Sequence, residues 1–390
     1  MYYLICRYLI TGGVQTLTLR EGEWLKKNKG DVCIVAQITT ENIVKLYKRI
    51  GIKVMILNKW TAKEIHNAVL SKNQEIKLIH MYDLGEFLRY KSHYPKHNVK
   101  LVYYCVHPTA DCFLKSSNLG KKLFNRFFSK AISKYNKNKN IMYMDQETLT
   151  RNLENYCLED EEKLFTVLPL PYKIKNNQPK DRSKDTCHIL TVSRADFPYK
   201  GYMIGMLEEI NQRYNEIPNI QLTIISSGEQ LSELKEKINS LNPKVKEIIE
   251  LIDGVTPDKL PNYYKNTDLY VGMGTTVLEA ADYWIPSIMT QYDTYEFVST
   301  GFFNENPLDL GSRYIEGSSG IEQIKHIVKL SDLEYRNMQK ETKNALKKNY
   351  DEDVILEKLD KWQCSNKEKL SFFSNLFLKI YFALKYWRFR

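Results

Sequence analysis

The chain has 390 residues, a formal net charge of +10, 27% charged residues and 43% hydrophobic residues. These values are typical of a folded protein with two domains, each large enough for its own core. Seven cysteines without a C-x-x-C pair favour reduced thiols in the cytosol and argue against a disulfide or metal framework. No uncharged apolar stretch reaches the ~18 residues of a membrane span, and we expect no signal peptide.

The first part of the chain alternates strand-like apolar runs with helix-like stretches. The runs cover residues 2–10, 32–36, 52–57, 76–81, 99–106 and 140–144. This alternation predicts a parallel, doubly wound α/β domain, to which we assign residues 1–172.

Ligands of such domains bind at the carboxyl ends of the strands. The glycine pair Gly12-Gly13 follows the first strand, and His107 follows the run at 99–106. Glycines between a strand and a helix allow close approach of an anionic ligand, although a plain tight turn is the alternative. His80 lies within a strand and is interpreted as structural.

Residues 112–144 contain no acidic side chain. Four basic residues recur at every fourth position of a predicted helix: Lys122, Arg126, Lys130 and Lys134. They form a stripe beside an apolar face that includes Phe127. Such a helix suits an anionic membrane surface, and the alternative is a helix that packs its aromatic face on the core. Nucleic acid is not an expected partner, because no known binding module accompanies the stripe.

The polar stretch 173–185 is predicted to link the domains, and the second domain is predicted to cover residues 186–345. Its first strand ends before Arg194, and Lys200 follows six residues later. Two fixed cations at the mouth of a strand can neutralise the charge that develops on a departing diphosphate. An ordinary surface loop is the alternative.

Residues 268–292 indicate a strand, a glycine turn, a helix and a second strand. The turn holds Gly274, Thr275 and Thr276, and it directs backbone N–H groups towards a ligand above the sheet. Glu279 lies about one helical turn further on, where a carboxylate can hydrogen-bond the hydroxyls of a ribose. The alternative is a solvated helix residue.

The last segment, residues 346–390, begins as charged helices and ends in a basic aromatic tail. Residues 371–390 hold eight aromatic side chains and only basic charges. Such a tail suits the interface of a membrane rather than a span. Its predicted membrane contacts are Phe377, Lys385, Trp387 and Arg388. The alternative is a final helix packed on the N-terminal domain.

The segment 268–292 resembles the C-terminal signature of GT-B glycosyltransferases, especially the large retaining family 4. The family pattern is a glutamate, seven residues, a second glutamate and then a proline strand. Glu279 matches the second glutamate and Pro286 the proline, whereas Val271 occupies the position of the first glutamate. The loop from Arg194 to Lys200 is similar to the family's Arg…Lys-Gly loop, although it is one residue longer than the commonest spacing.

The resemblance implies an α/β protein of the GT-B class, with two Rossmann-like doubly wound domains facing a cleft that holds a nucleotide sugar. His107 would contact the sugar, while Arg194 and Lys200 would stabilise the leaving diphosphate. The donor-binding residues it implies are Gly12, Gly13, Arg194, Lys200, Gly228, Val255, Leu260, Gly274, Thr275, Thr276 and Glu279. Neither a metal nor a cofactor is expected, because two basic side chains replace the metal.

Val271 leaves the stereochemistry open at this stage. Retention is the expectation from the family, whereas an inverting enzyme would need a carboxylate base, for which Asp111 is the candidate. A catalytically degenerate GT-B subunit that binds nucleotide and supports a partner transferase is the alternative to an active enzyme.

The function implied by the resemblance is that of a hexosyltransferase. It would transfer a sugar from a UDP-sugar to a lipid-linked saccharide in the synthesis of bacterial capsule, O-antigen or exopolysaccharide. The protein would be cytoplasmic and peripheral on the inner face of the plasma membrane.

Overall fold

The computed structural model describes residues 1–10, 13–70, 75–94, 99–106, 119–156, 165–183, 185–217, 219–256, 258–312, 315–365 and 370–387. Within these ranges, the side chains of 119–126 and 383–387 are not described. The chain forms two compact units. The first consists of Met1–Lys173 with Glu352–Arg390, and the second of Ile174–Asp351.

The described part of the first unit has eight strands, six of which form its main sheet. The eight strands are β1 (Tyr2–Ile5), β2 (Tyr8–Leu9), β3 (Val32–Ala36), β4 (Ile38–Thr39), β5 (Lys53–Ile56), β6 (Leu78–Met81), β7 (Leu101–Cys105) and β8 (Ile141–Tyr143). The main sheet has the order β5-β3-β1-β6-β7-β8, all parallel, and the short β2 and β4 pair separately. Its inner strands are buried along their length, as expected of parallel strands covered on both faces.

Among the described residues, five helices lie between these strands and a sixth follows β8. They are α1 (Gly13–Asn28), α2 (Glu41–Arg49), α3 (Ala62–Leu70), α4 (Leu84–His93), α5 (Leu119–Lys137) and α6 (Gln146–Tyr156). The two faces of the sheet carry separate apolar cores: Tyr3 and Ile5 of β1 pack into one, and Tyr2 and Leu4 into the other. The predicted alternation of strands and helices is therefore confirmed, because buried strands need cover on both sides.

The second unit has a seven-stranded sheet. Its strands are β9 (Cys187–Arg194), β10 (Ile220–Ser227), β11 (Ile249–Asp253), β12 (Leu269–Gly272), β13 (Ser287–Thr290), β14 (Val298–Phe302) and β15 (Ser318–Ser319). The order is β11-β10-β9-β12-β13-β14-β15. The first five strands in this order are parallel, and β14 and β15 join antiparallel.

The helices of the second unit follow the same alternation. They are α7 (Tyr202–Arg213, followed by a 3₁₀ turn at Tyr214–Glu216), α8 (Leu231–Asn239), α9 (Pro243–Glu247), α10 (Leu260–Lys265), α11 (Thr275–Asp282), α12 (Gly320–Lys329) and α13 (Asp332–Tyr350). The predicted linker 173–185 lies mostly on this unit. Its Lys180 forms an ion pair of 3.1 Å with the buried Asp268, which explains why the second unit begins at Ile174 rather than at residue 186.

The chain then returns to the first unit through α14 (Glu352–Lys361) and α15 (Phe372–Trp387). The Trp24 indole donates to Asp353 at 2.6 Å, and the Tyr2 hydroxyl donates to Asp360 at 2.7 Å. The compact units therefore divide at Asp351, whereas the sequence suggested a separate segment from residue 346. The difference arises because α13 continues to Tyr350 and α14 packs its apolar side into the first unit.

Candidate functional site

The strand order of the second unit reverses between β9 and β12. From β9 the chain proceeds outwards through β10 and β11, and from β12 it proceeds the other way through β13. The connections that follow the carboxyl ends of such a strand pair run in opposite directions, and a crevice forms between them. Open parallel sheets bind their ligands in this crevice. The loop that holds Arg194 and Lys200 follows β9, and the turn at Gly274 follows β12. The fold thus brings the two predicted donor-binding segments to one crevice.

The loop after β9 is fixed by the loop that follows its neighbour β10. The N–H of Ala195 donates to the Ser227 carbonyl at 2.7 Å, and the N–H of Phe197 donates to the Gln230 side chain at 2.6 Å. Gly228 has φ +119°, and a Cβ there would lie 3.0 Å from the Ala195 carbonyl oxygen. Glycine is required at this position for both reasons, since other residues disfavour that φ and would crowd the loop.

Arg194 and Lys200 are close enough to affect each other electrostatically. Arg194 is exposed at the end of β9, and Lys200 is half-buried six residues later. The pKa of Lys200 is lowered to about 8, mainly by burial and then by the positive charge of Arg194, while Asp196 acts in the opposite direction. An anion bound beside both cations would relieve this repulsion. The loop therefore has the electrostatic character of a phosphate site.

A pH dependence follows from the lowered pKa of Lys200. A bound diphosphate would raise this pKa, so donor affinity should be full below about pH 8 and fall as the pH rises through that value. Above about pH 8, donor affinity should decrease by about tenfold per pH unit, until the pH reaches the raised pKa of Lys200 in the complex.

Calorimetric titration with UDP in two buffers of different ionisation enthalpy measures this effect as proton uptake near pH 8. The matched control is Lys200→Arg, which keeps the positive charge but does not titrate in this range. Equal proton uptake by the wild type and by Lys200→Arg would contradict the assignment.

The turn after β12 consists of only Met273 and Gly274. Gly274 adopts φ +73°, and its N–H donates to the Leu310 carbonyl at 2.6 Å. The Thr276 hydroxyl accepts from the buried Tyr270 hydroxyl at 2.6 Å. The Gly274 N–H is thus engaged by a distant segment of the chain, and the role of Gly274 in donor binding stays a prediction. Thr275, the first residue of α11, is exposed.

The side chain of Glu279 is held by a residue that sequence analysis did not assign. The Tyr264 hydroxyl of α10 donates to a Glu279 carboxylate oxygen at 3.1 Å. The Tyr264 ring stacks on Tyr283, with 5.3 Å between the ring centroids. Tyr264 therefore orients Glu279, and no periodicity or motif in the sequence links two residues on separate helices.

Removal of this hydrogen bond should weaken donor binding more than turnover. For Tyr264→Phe we expect KM for the nucleotide sugar to rise about tenfold and kcat to change less. A tenfold rise corresponds to the free energy that one hydrogen bond to a charged group contributes. Steady-state kinetics measures the split between the two constants. The control is Tyr263→Phe on the same helix, and an equal effect of both variants would contradict a specific role for Tyr264.

Val271 lies inside β12 and is fully buried in the apolar core. Only two residues separate β12 from α11, so position 271 belongs to the buried strand and not to an exposed connection. A glutamate at position 271 would be a buried charge without a partner, which is strongly unfavourable. The short connection explains physically why valine occupies this position.

The remaining donor-binding predictions lie around the same sheet edge, in the first unit or outside the described residues. Val255 follows β11, and Leu260 begins α10, and both are half-buried. In the first unit, Gly13 begins α1, and a Cβ there would have no neighbour within 4 Å. Gly12, His107 and Asp111 lie outside the described residues.

His80 of the first unit lies in a buried polar network. Its Nδ1 is 2.8 Å from a Glu21 carboxylate oxygen, and both side chains are almost fully buried. The Tyr82 hydroxyl donates to the other oxygen of Glu21 at 2.5 Å. The Nε2 of His80 is buried without a hydrogen-bond partner among the described residues, so the structural role of His80 stays a prediction.

The structure describes the side chains of only some of the predicted membrane residues. Phe127 of α5 and Phe377 of α15 stack on each other, with 4.4 Å between the ring centroids. Lys130 is exposed and Lys134 half-buried on α5. The side chains of Lys122, Arg126, Lys385 and Trp387 are outside the described set, as is Arg388 entirely.

Within the described part of the chain, no helix is both long enough and apolar enough to cross a membrane. The same residues hold no group of three or more His, Cys, Asp or Glu side chains arranged to bind a metal ion.

No protein-family model and no curated protein matches the chain. Solved structures do match. A glycosyltransferase from Rickettsia africae ESF-5 superposes with a TM-score of 0.65 and 15% identity over 92% of this chain and 96% of its own. HepE from Anabaena, in complex with UDP-glucose, gives a TM-score of 0.61 and 13% identity over 92% and 97%.

A third similar structure is WaaB, a lipopolysaccharide outer core galactosyltransferase, in its apo form. Its TM-score is 0.55 at 14% identity, over 98% of this chain and 99% of its own. These likenesses extend over more than nine-tenths of the chain, and at such identities they show the fold. The chain has the GT-B fold of the glycosyltransferases.

Proposed function

We propose that the chain is a glycosyltransferase that moves a hexose from a nucleotide sugar, of which a UDP-sugar is the best candidate. The observation that carries the proposal is the strand order, in which β9 lies beside β12: Arg194 and Lys200 follow the carboxyl end of β9, and α11 with Glu279 follows that of β12. Support for the donor class comes from HepE, a structure of the same fold in complex with UDP-glucose.

The residues of the crevice have separate roles in this proposal. Arg194 and Lys200 bind the diphosphate and neutralise the charge that develops on it as the bond to the sugar breaks. Arg194 offers a rigid fork of N–H donors and Lys200 a point charge. Glu279, oriented by Tyr264, accepts hydrogen bonds from the ribose hydroxyls. The two cations take the part that a metal ion has in other transferases, so the proposed reaction is metal-independent.

The proposed acceptor is a lipid-linked saccharide, in the synthesis of bacterial capsule, O-antigen or exopolysaccharide. Support comes from the basic aromatic segments of the chain and from the likeness to a lipopolysaccharide outer core galactosyltransferase. The protein would then act at the inner face of the plasma membrane as a peripheral protein. Retention of configuration and membership of family 4 belong to the same proposal, and they rest on the match of Glu279, Pro286 and the Arg194 loop.

A second candidate function is a nucleotide-binding subunit that supports a partner transferase. The buried Val271 and the short connection before α11 favour it, because the first carboxylate of the family pattern has no place here. This candidate predicts donor binding without turnover.

Nucleotide release from a panel of UDP-, GDP- and other nucleotide sugars, with and without native membranes, distinguishes the two. We expect turnover of one donor by the wild type and its loss in Glu279→Ala. The control is Glu236→Ala, an exposed glutamate on α8 of the same unit. Binding without turnover on every donor would favour the supporting subunit, and no binding at all would exclude the site.

A further inference from the structure

Helix α15 has two apolar faces, and only one of them is packed. Ser374, Leu378 and Phe382 are buried and recur at every fourth position. On this side the helix contacts α4 and α5, with the Phe382 ring centroid 6.4 Å from that of Phe128. This packing agrees with the alternative of a final helix docked on the N-terminal domain.

The opposite side of α15, here called the outer face, is exposed. It consists of Phe372 (75% exposed), Phe373 (74%), Leu376 (43%) and Ile380 (52%). Three of these recur at every fourth position and are offset by two residues from the buried set, which places them on the opposite side of a helix. The outer face is therefore a continuous apolar stripe.

Single exposed hydrophobic residues are normal, but a stripe on one helix is not. Phe372 and Phe373 are the most exposed large hydrophobic side chains among the described residues. A helix that is apolar on all sides is usually covered on all sides. The outer face therefore has the properties of a surface that binds something apolar.

Charge indicates what covers the outer face. Residues 370–390 contain four basic side chains, Lys379, Lys385, Arg388 and Arg390, and no acidic one. Helix α5, which packs on α15, also lacks acidic residues. A second copy of the same surface would bring like charges together, whereas anionic lipid headgroups would attract them.

We propose that the outer face of α15 binds the surface of a bilayer that contains anionic lipid. The helix would lie in the plane of the interface, with Phe372 and Phe373 among the headgroups and Lys379 near lipid phosphates. Its 16 residues are too few to span the hydrocarbon core. The proposal deepens the proposed function, on which it rests for a membrane-bound acceptor, and it assigns the lipid contact to side chains other than Phe127 and Phe377.

Vesicle flotation with the full chain tests this surface. Vesicles of phosphatidylcholine are compared with vesicles that also contain phosphatidylglycerol. We expect Phe372→Ser combined with Phe373→Ser to weaken binding to the anionic vesicles at least about tenfold, since two aromatic rings lose their burial. Lys379→Gln should weaken binding to anionic vesicles and leave binding to neutral ones unchanged.

The matched control is Leu333→Ser, which removes a side chain of 70% exposure on α13 of the second unit. Thermal unfolding shows whether the variants stay folded, as expected for exposed positions. Wild-type binding by the double variant would overturn the proposal. The proposal would also be overturned if the wild type were a dimer, the double variant a monomer, and neither bound vesicles. The outer face would then be a contact between two copies of the chain.

UDP titration of the same samples separates this proposal from the proposed function. A double variant that binds UDP like the wild type but no longer floats with vesicles supports the lipid surface as a separate feature. A wild type that floats with anionic vesicles but binds no nucleotide would leave the lipid surface standing and overturn the donor site.

Discussion

Lys200→Ala is expected to lower kcat/KM for the nucleotide sugar by about 10²–10³-fold, the usual cost of removing one group that stabilises transition-state charge. The reason is the position of Lys200 beside Arg194 at the carboxyl end of β9, where the pKa of Lys200 already reflects the second cation. Steady-state nucleotide release measures the effect. Lys200→Arg should retain more activity, because it keeps the charge and loses only the fit of the ammonium group.

Lys244→Ala is the control, since this lysine is exposed on α9 of the same unit. Arg194→Ala should have an effect comparable to that of Lys200→Ala. The double variant should lose less than the product of the two single losses, because both cations act on one diphosphate. Unchanged kcat/KM in Lys200→Ala would contradict the assignment of the leaving-group site.

Lys343→Met is expected to lower the free energy of unfolding by about 3–5 kcal/mol, the typical cost of breaking a buried ion pair. Asp282 ends α11, and its carboxylate is 2.5 Å from the Lys343 ammonium, with both side chains nearly inaccessible. The same carboxylate accepts from the Lys175 N–H at 3.1 Å. Without Lys343, a buried negative charge would remain at the C-terminus of a helix, where the helix dipole disfavours it.

Urea denaturation followed by circular dichroism measures this change. The control is Lys340→Met, an exposed lysine about one turn away on α13. A second change, Asp282→Leu, made in the Lys343→Met background should recover part of the loss, because it removes the buried negative charge that has lost its cation. A loss below about 1 kcal/mol in Lys343→Met, which is typical of an exposed pair, would contradict this account of α11.

The fold was predictable because its signals are local. Short apolar runs separated by helix-length stretches predicted the strands, and residues 32–36 match β3 at both ends. The strand, turn and helix from Leu269 to Asp282 were equally clear, since the glycine turn is short and the helix follows at once. The position of Arg194 at the carboxyl end of β9 followed from the same reasoning.

The features that the sequence did not predict depend on contacts between residues far apart in the chain. Leu310, which uses the Gly274 N–H, lies on a segment without a motif. The Tyr264 side chain reaches Glu279 from a different helix, which no sequence period reveals. The sequence of α15 indicated a basic aromatic segment, but only the packing of Leu378 and Phe382 shows which side of the helix is buried.

The most direct test of the central claim is a crystal structure of the protein with UDP bound. The account predicts the diphosphate in contact with Arg194 and Lys200, and the ribose hydroxyls within hydrogen-bond distance of Glu279. UDP bound away from the crevice between β9 and β12, or with its phosphates turned away from both cations, would contradict it.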